Sequence, residues 1–448
     1  MPEVWAAVRR WVASVGPDLW PVLVAVAVVV GTLSLAITPV GKDIDLTSAA
    51  LHGSTLRDVR PSRTGEVNPT LAAAVDASLA RRGIAVQTNN LPLFLRDVTP
   101  ALKAKQARLF QNLQAVGMSV VYRRAELWSN YEAVRRYGPA TGTFRVTMRY
   151  VLAGSRLPQA STDVGYTYTL KRGRLYLVAD NDLDQAIGSN RQPWDFGRIQ
   201  VVRRTNVVVI VDRGQRALAL RLAEETVRSA QQVRKLWPGL LQTVPFVVAM
   251  KNPEVLTDLP ATTNATGTTN ATGTAAGNEP ASVRPMPSSL IENEQPSGGW
   301  VVIRPGAQRS FDSAQMEHVL MHLLPVRLGD GAPRWLAEGM AEYAGKQALA
   351  RAGHSTGVAR ERQEISTRVL GELTRLPTDH EFTATDSYGI SWLAVEQLVK
   401  QVGIKPVTEY YRQVARRGYH EAARDRLMVE YTGFTEARLV ESLRSLAN

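Results

Sequence analysis

The stretch of sequence that decides the fold runs Met316-Glu317-His318-Val319-Leu320-Met321-His322. We predict a helix here, and a helix places side chains four positions apart on one face, one turn from each other. His318 and His322 have this spacing, so both imidazoles can reach a single metal ion. The pair alone is a weak signal, because two ordinary buried or helix-capping histidines would show the same spacing.

A second stretch strengthens the metal interpretation. It runs Pro333-Arg334-Trp335-Leu336-Ala337-Glu338-Gly339-Met340-Ala341-Glu342-Tyr343 and places Glu338 sixteen positions beyond His322. A carboxylate on a neighbouring helix would complete a site of two histidines and one glutamate and leave one position for water. Glu342 follows one turn later on the same face, where it could accept the other ring N–H of a ligand histidine and fix its tautomer.

Together the two stretches resemble the gluzincin (peptidase MA-like) family of zinc metallopeptidases. That family has His-Glu-x-x-His followed by a helix carrying Glu-Gly-x-Ala-x-Tyr, and the resemblance covers roughly residues 195–448. It implies an α+β peptidase domain with a helical C-terminal region. It also implies that His318, His322 and Glu338 bind Zn²⁺ and that Glu342 is the carboxylate behind the ligands.

The sequence departs from the family at the position after the first histidine. The family's glutamate there activates zinc-bound water and shuttles its proton, whereas Val319 cannot take a proton. Glu317 projects about 100° around the helix in the opposite sense, and the inverted order His-x-x-Glu-His would need a glutamate at Met321. A base supplied from elsewhere, such as the loop around Asp386, stays open.

Two further expectations from the resemblance concern the ligand. In related gluzincins a tyrosine donates to the developing oxyanion, and Tyr388, at the start of an amphipathic helix, is the candidate here. A packed tyrosine at a helix start is the alternative. Such families also lay substrate along an edge strand beside the zinc helix, so we expect a groove for a peptide or protein ligand beside Trp300–Ile303.

Residues 68–190 are predicted to form a separate small α+β domain. Helical patterns begin at about Leu71 and Pro100, and four alternating stretches rich in β-branched and aromatic residues follow. These stretches are Ser119–Leu127, Thr143–Val151, Thr162–Leu170 and Arg174–Val178. The order resembles the nuclear-transport-factor-2-like (SnoaL-like) cone fold. Because no convergent catalytic set is visible in it, we interpret this domain as a spacer or interaction module.

The N-terminal region is predicted to anchor the chain in a membrane. Residues 19–40 contain the apolar run Val22–Ile37 and approach the roughly 20 residues that cross a bilayer. A cytoplasmic tail (1–18) would precede this single transmembrane helix, and a linker (41–67) would lead to extracytoplasmic domains. A cleaved signal peptide ending at Ser34-Leu35-Ala36 is the alternative.

The peptidase-like domain is predicted to cover residues 194–448. It begins with buried strands over Val201–Val211, an amphipathic helix over Arg216–Trp237 and an apolar strand over Val244–Met250. Residues 257–299 are then rich in Thr, Asn, Ala, Gly and Ser, which indicates a flexible low-complexity insertion.

The amino-acid composition limits which metal ligands and nucleophiles the protein can use. The 448 residues include no cysteine, which excludes thiolate zinc ligands and a cysteine nucleophile, so a metal site must use His, Asp and Glu. The net charge of +12 is spread along the chain without a nucleic-acid-binding motif, so we expect no nucleic-acid partner.

Three functions are compatible with this sequence. The preferred hypothesis is a membrane-anchored, extracytoplasmic zinc-binding pseudopeptidase that binds a peptide or protein without hydrolysing it. The second is a working zinc metallopeptidase with a different base. The third is a structural cell-envelope protein in which the metal site is a relic.

Overall fold

The computed structural model describes residues 68–152, 159–187, 190–204, 207–238, 245–255, 262–263, 269–270, 280–286, 298–323, 325–326, 328–329, 331–382, 385–418 and 420–447. The predicted tail, transmembrane helix and linker (1–67) lie outside these residues. Within the described ranges, no helix is both long and apolar enough to span a membrane. The described residues all belong to one compact unit, Ser54–Asn448, and the fold class is α+β, as predicted.

The first half of this unit is an antiparallel meander with helices before and within it. In chain order its elements are α1 (Pro69–Gln87), α2 (Leu91–Phe94), α3 (Pro100–Val116), β1 (Met118–Trp128), α4 (Tyr131–Tyr137), β2 (Thr141–Leu152), β3 (Ala160–Lys171), β4 (Arg174–Ala179) and α5 (Asp184–Ile187). Strands β1 to β4 pair in sequential order. The predicted helices and the four predicted strands are confirmed, whereas the short helix α4 was not predicted. The cone-fold resemblance of this part stays a prediction.

The second half combines a mixed sheet with a helical C-terminal region. Its elements are β5 (Ile199–Arg204), β6 (Val207–Asp212), α6 (Arg216–Leu236), β7 (Phe246–Ala249), β8 (Thr262–Thr263), β9 (Thr269–Asn270), β10 (Ala281–Met286), β11 (Gly298–Ile303), α7 (Ser313–Leu323), α8 (Arg334–Arg351), α9 (Ser355–Ile365), a π-helical turn (Ser366–Leu370), a 3₁₀ turn (Asp379–Glu381), α10 (Thr385–Val402), α11 (Ile404–Arg417), α12 (Glu421–Thr432) and α13 (Glu436–Arg444). From Ser313 onward the described elements are all helical, as the sequence predicts.

The five-stranded sheet has the order β10-β11-β7-β6-β5. Strand β11 is therefore an interior strand, and the expectation that Trp300–Ile303 forms a sheet edge is wrong. The edge strand on this side of the sheet is β10, which pairs antiparallel with β11 although it lies inside the range predicted as a flexible insertion. The sequence did not reveal β10 because its buried residues, Val283 and Met286, are three apart and do not alternate. Pro285 suits an edge strand, since proline cannot donate to a sheet ladder.

Both faces of this sheet are buried. Side chains alternate between the two faces of a strand, and in β6 Val207, Val209 and Val211 belong to one hydrophobic cluster while Val208 and Ile210 belong to another. The first cluster joins the sheet to the C-terminal helices, and the second joins it to the N-terminal meander. Because β6 is buried on both faces, its sequence is an unbroken run of β-branched residues rather than an alternation of apolar and polar residues.

Trp194 lies where the meander meets the five-stranded sheet. Its ring is 5.2 Å from Tyr150 and 6.1 Å from Trp300, both in edge-on geometry. Its carbonyl oxygen accepts a 2.7 Å hydrogen bond from the Asn112 side chain on α3. One continuous hydrophobic core therefore contains side chains from both sides of the predicted domain boundary at residues 190–194.

The C-terminal helices α7, α8 and α10 pack in sequence, α7 on α8 and α8 on α10. Gly339 permits the second of these contacts, because a Cβ atom at this position would lie 2.3 Å from the backbone oxygen of Ser391. The glycine of the Glu-Gly pair is thus required where two helix backbones approach closely.

We expect Gly339→Ala to destabilise the protein by about 1–3 kcal/mol through overpacking, lowering the midpoint of thermal unfolding. Gly357→Ala is the matched control, since a Cβ atom there meets nothing within 4 Å and alanine favours a helix by up to about 1 kcal/mol. Circular dichroism melting of the two full-length variants measures the difference. Equal midpoints would contradict the close approach of α8 and α10.

Candidate metal centre

Helix α7 carries the two histidines, and its first turn is capped. The Asp312 side chain accepts from the Gln315 backbone N–H at 2.9 Å, and the Gln315 side chain accepts from the Asp312 backbone N–H at 3.1 Å. This reciprocal arrangement satisfies backbone donors at the helix beginning. The rings of His318 and His322 lie one turn apart with centroids separated by 5.1 Å.

Helix α8 brings the third candidate ligand to the same place. Its start is fixed by Asp379, whose carboxylate accepts from the backbone N–H of Arg334 at 2.8 Å. Glu338 follows in the next turn and is buried, with Oε2 lying 3.2 Å from His322 Nε2 and 3.9 Å from His318 Nε2. One donor atom from each of the three residues lies within 4.8 Å of the other two. The structure therefore brings together the three residues that the sequence predicted as metal ligands.

The Glu338 carboxylate supplies a test of whether a metal fits. Its Oε2 atom is buried and has no hydrogen bond of good geometry to any described residue, although His322 Nε2 lies 3.2 Å away. Buried polar atoms are nearly always satisfied. A cation held between this oxygen and the two imidazoles would satisfy it. Two nitrogens and one carboxylate oxygen, with no thiolate in the chain, form a donor set suited to Zn²⁺.

Glu338 is held in its ionised form. Burial alone would raise its pKa, but the neighbouring His322, His318 and Arg334 outweigh burial and hold the pKa at about 2. A carboxylate must be deprotonated to bind a metal. The protein therefore keeps this ligand ready for a cation.

Glu342 lies behind His318. Its Oε1 atom is 3.3 Å from His318 Nδ1, and its Oε2 atom is 3.6 Å from Lys346 Nζ. Burial would raise the pKa of Glu342, but His318 and Lys346 together lower it. A carboxylate that accepts from Nδ1 leaves Nε2 of His318 to bind a metal. This contact matches the role that the family resemblance implies for Glu342.

Neither Val319 nor Glu317 supplies a free carboxylate to the centre. Val319 is only 3% exposed and belongs to the hydrophobic cluster between the sheet and the C-terminal helices. Both carboxylate oxygens of Glu317 accept from Arg351, one of them at 2.6 Å. Asp386, considered as a base from elsewhere, pairs with Arg368. These carboxylates are thus engaged by arginines.

Tyr388 reaches the centre through Arg334, a residue that the sequence analysis did not single out. Arg334 Nη2 donates to the Tyr388 hydroxyl at 3.4 Å, and Arg334 Nε lies 3.5 Å from Glu338 Oε1. The signal was present in the sequence, because Arg334 precedes Glu338 by one helical turn and residues four apart are neighbours on a helix.

Comparison with known proteins gives only distant structural similarity. No family profile matches the chain, and no curated protein matches it. Among solved structures, it is similar to an M1 zinc metallopeptidase from Deinococcus radiodurans, with 13% identity and a TM-score of 0.35 over 75% of this chain and 61% of that one. A mutant of that enzyme bound to a Tyr-Ser-Ala substrate gives 13% identity and a TM-score of 0.36, again over 75% of this chain and over 62% of the other. The chain thus spans about three fifths of the length of these structures. The evidence for the candidate centre is the geometry of its own residues.

We expect the full-length chain to bind one zinc ion. His322→Ala and Glu338→Gln should remove zinc binding, while Glu342→Gln should weaken it about 10–100-fold, the usual effect of losing an outer partner of a ligand histidine. His354→Ala is the control, because His354 is exposed and lies outside the cluster. Metal analysis after dialysis and competition with a chromophoric chelator measure these affinities. Zinc retained by Glu338→Gln at wild-type affinity would contradict the site.

Proposed function

We propose that this chain is a zinc-binding pseudopeptidase that binds a peptide or protein ligand without hydrolysing it. The observation that carries the proposal is the combination of a three-residue metal cluster with a valine where its general base would be. His318, His322 and Glu338 converge on one point, while Val319 is buried in the hydrophobic core. The centre has the means to hold a cation and lacks the group that would activate water beside it.

The metal and the protein contribute separately to this function. When bound, Zn²⁺ supplies a Lewis acid that attracts a carbonyl or carboxylate oxygen of the ligand. The protein holds the His318 imidazole through Glu342 and keeps Glu338 ionised. Proton transfer by a general base contributes about 10²–10⁴-fold to such reactions. Without that residue, the expected outcome is ligand binding with little turnover.

The ligand is proposed to lie along β10 rather than directly beside Trp300–Ile303. Strand β10 is one of the two edge strands of the sheet, the other being β5, and α7 packs against both β10 and β11. An extended peptide can add to an exposed sheet edge through main-chain hydrogen bonds. A peptide on β10 would pass beside the helix that carries the two histidines.

The proposed location is the outer face of a cell membrane. Support comes from the apolar run Val22–Ile37, which is suited to a single membrane-spanning helix. The large domains that follow it would then be extracytoplasmic.

We expect Val319→Glu to gain peptide hydrolysis relative to wild type, by about 10²–10⁴-fold, because it restores a proton acceptor next to the metal. Val319→Gln is the matched control, since it places a side chain of the same size at the same buried position but cannot act as a base. The assay uses zinc-loaded full-length protein with a fluorogenic peptide library. Melting curves of both variants confirm that each is folded.

Other outcomes distinguish the remaining functions. Cleavage by wild type that a chelator stops would contradict the pseudopeptidase and establish a working metallopeptidase with a different base. If wild type binds no zinc, the centre is a relic and the structural cell-envelope function is favoured. Activity in both Val319→Glu and Val319→Gln would show that position 319 does not supply the base.

A further inference from the structure

The N-terminal meander and α1 enclose a buried arginine. Arg82 on α1 is only 3% exposed. Its guanidinium donates to the Phe94 carbonyl oxygen at 3.3 Å and to the Gln106 side-chain oxygen at 2.5 Å. Both acceptors are neutral, and Arg82 forms no ion pair with a carboxylate in the described part of the chain. This arrangement is unusual, because burying a charge without a paired opposite charge is costly.

Three tyrosines of the meander lie around this guanidinium. Its central carbon is 5.6 Å from the ring centroid of Tyr122 and 5.4 Å from that of Tyr166, and its charge also acts on Tyr168. Burial raises the pKa of all three tyrosines, and the Arg82 charge opposes this increase without overcoming it. The three hydroxyl groups therefore stay protonated and can donate hydrogen bonds.

Several buried polar atoms in this group lack a hydrogen bond of good geometry to any described residue. They are Arg82 Nε, the hydroxyl oxygens of Tyr122 and Tyr168, and Ser78 Oγ, and we call these four residues the Arg82 cluster. Ser78 lies close to Tyr168, but their oxygens do not meet in good geometry. Because buried polar atoms are nearly always satisfied, the cluster has room in its hydrogen bonding for a further partner.

The carboxylates near the Arg82 cluster are matched to other cations. The pairs are Asp97 with Arg81 at 2.6 Å, Asp180 with Lys105 at 2.7 Å and Asp184 with Arg191 at 2.8 Å, while Asp195 also interacts with Arg191. Burial raises the pKa of Asp195 in spite of Arg191, which favours its neutral form. The charge of Arg82 is therefore left without a direct counterpart.

The solvent side of the short helix α2 carries a basic pocket. Phe94 of α2 lies under the Arg82 guanidinium, 3.8 Å from its central carbon to the ring centroid, whereas Leu93 and Leu95 line a surface pocket of about 560 Å³. The cations that line this pocket are Arg96, Lys103 and Arg174, and none of its lining residues carries a carboxylate. Such a pocket attracts anions from solvent to the neighbourhood of Arg82.

We infer that the Arg82 cluster is a second binding site of this protein and that it holds a small carboxylate anion between the guanidinium and the tyrosine hydroxyls. A buried water satisfies single polar atoms but brings no negative charge to the arginine. A carboxylate accepts hydrogen bonds from several donors at once and matches the planar fork of an arginine. This inference does not depend on zinc or on the proposed function.

The test follows thermal unfolding of the full-length chain by circular dichroism as sodium formate is added. Sodium chloride at the same concentration is the reference for salt effects, and formamide is the reference for a neutral molecule of the same size. Formate near saturation should raise the unfolding midpoint by about 2–4 °C more than either reference, because a ligand that binds only the folded chain stabilises it. The concentration dependence of the shift gives the affinity.

Variants assign the effect to the cluster. Tyr122→Phe and Tyr168→Phe should each weaken formate binding about ten-fold, the size expected for losing a hydrogen bond to a charged group, and Arg82→Gln should abolish it. If Arg82→Gln does not fold, the tyrosine variants still decide, since each removes one hydroxyl that has no described partner of good geometry.

Tyr150→Phe is the matched control. The Tyr150 hydroxyl is also buried and without a hydrogen bond to a described residue, but burial alone raises its pKa and Arg82 does not act on it. This variant should bind formate with wild-type affinity.

Two results would overturn the inference. One is an equal midpoint shift of wild type in formate and in chloride. The other is an unchanged formate affinity in both Tyr122→Phe and Tyr168→Phe. Loss of that affinity in Arg174→Gln would then assign the anion to the basic surface pocket instead.

Discussion

The buried carboxylate of Glu338 is the constraint on which the centre depends. An ionised group inside a protein costs several kcal/mol unless opposite charge lies close to it. Here Arg334, one turn earlier on α8, is the nearby cation, and ring nitrogens of His322 and His318 on α7 lie 3.2 Å and 3.9 Å from the carboxylate. The helices must therefore pack closely, and glycine makes this possible: a Cβ atom at Gly345 would lie 3.3 Å from a backbone oxygen of α7. The same short segment of α8 thus has to provide both charge pairing and close helix packing.

Helix geometry places neighbouring residues of α7 in different surroundings. Positions four apart share a face, so the two histidines meet the carboxylate of α8, while Val319, which follows the first histidine, is buried in the hydrophobic core. A carboxylate there would need solvation or a partner inside apolar surroundings. Valine avoids that cost. A valine at position 319 is therefore compatible with the candidate metal centre and with a well-packed core.

The sequence predicted elements where one physical pattern dominates. The strands of the meander alternate clearly and the histidine pair follows helical spacing, while Glu338 was assigned through the resemblance of its segment to the family's second motif, so these were found at nearly correct positions. Strand β10 was missed because its pairing with β11 is a long-range contact that overrides a composition typical of flexible chain. The contact of Arg334 with Glu338 follows from helical spacing and could have been predicted, whereas its contact with Tyr388 arises only when α8 and α10 meet. A sequence shows short-range periodicity directly, but it does not show which distant segments come into contact.

The N-terminal meander supports one face of the five-stranded sheet. Phe246, Trp300 and Val302 of the five-stranded sheet are buried in the same hydrophobic cluster as residues of the meander and its helices. Without the meander, these side chains would face water, at roughly 25 cal/mol for each Å² of apolar surface exposed. The opposite face of the same sheet supports α7 and therefore the two histidines. The meander is thus part of the scaffold of the candidate metal centre.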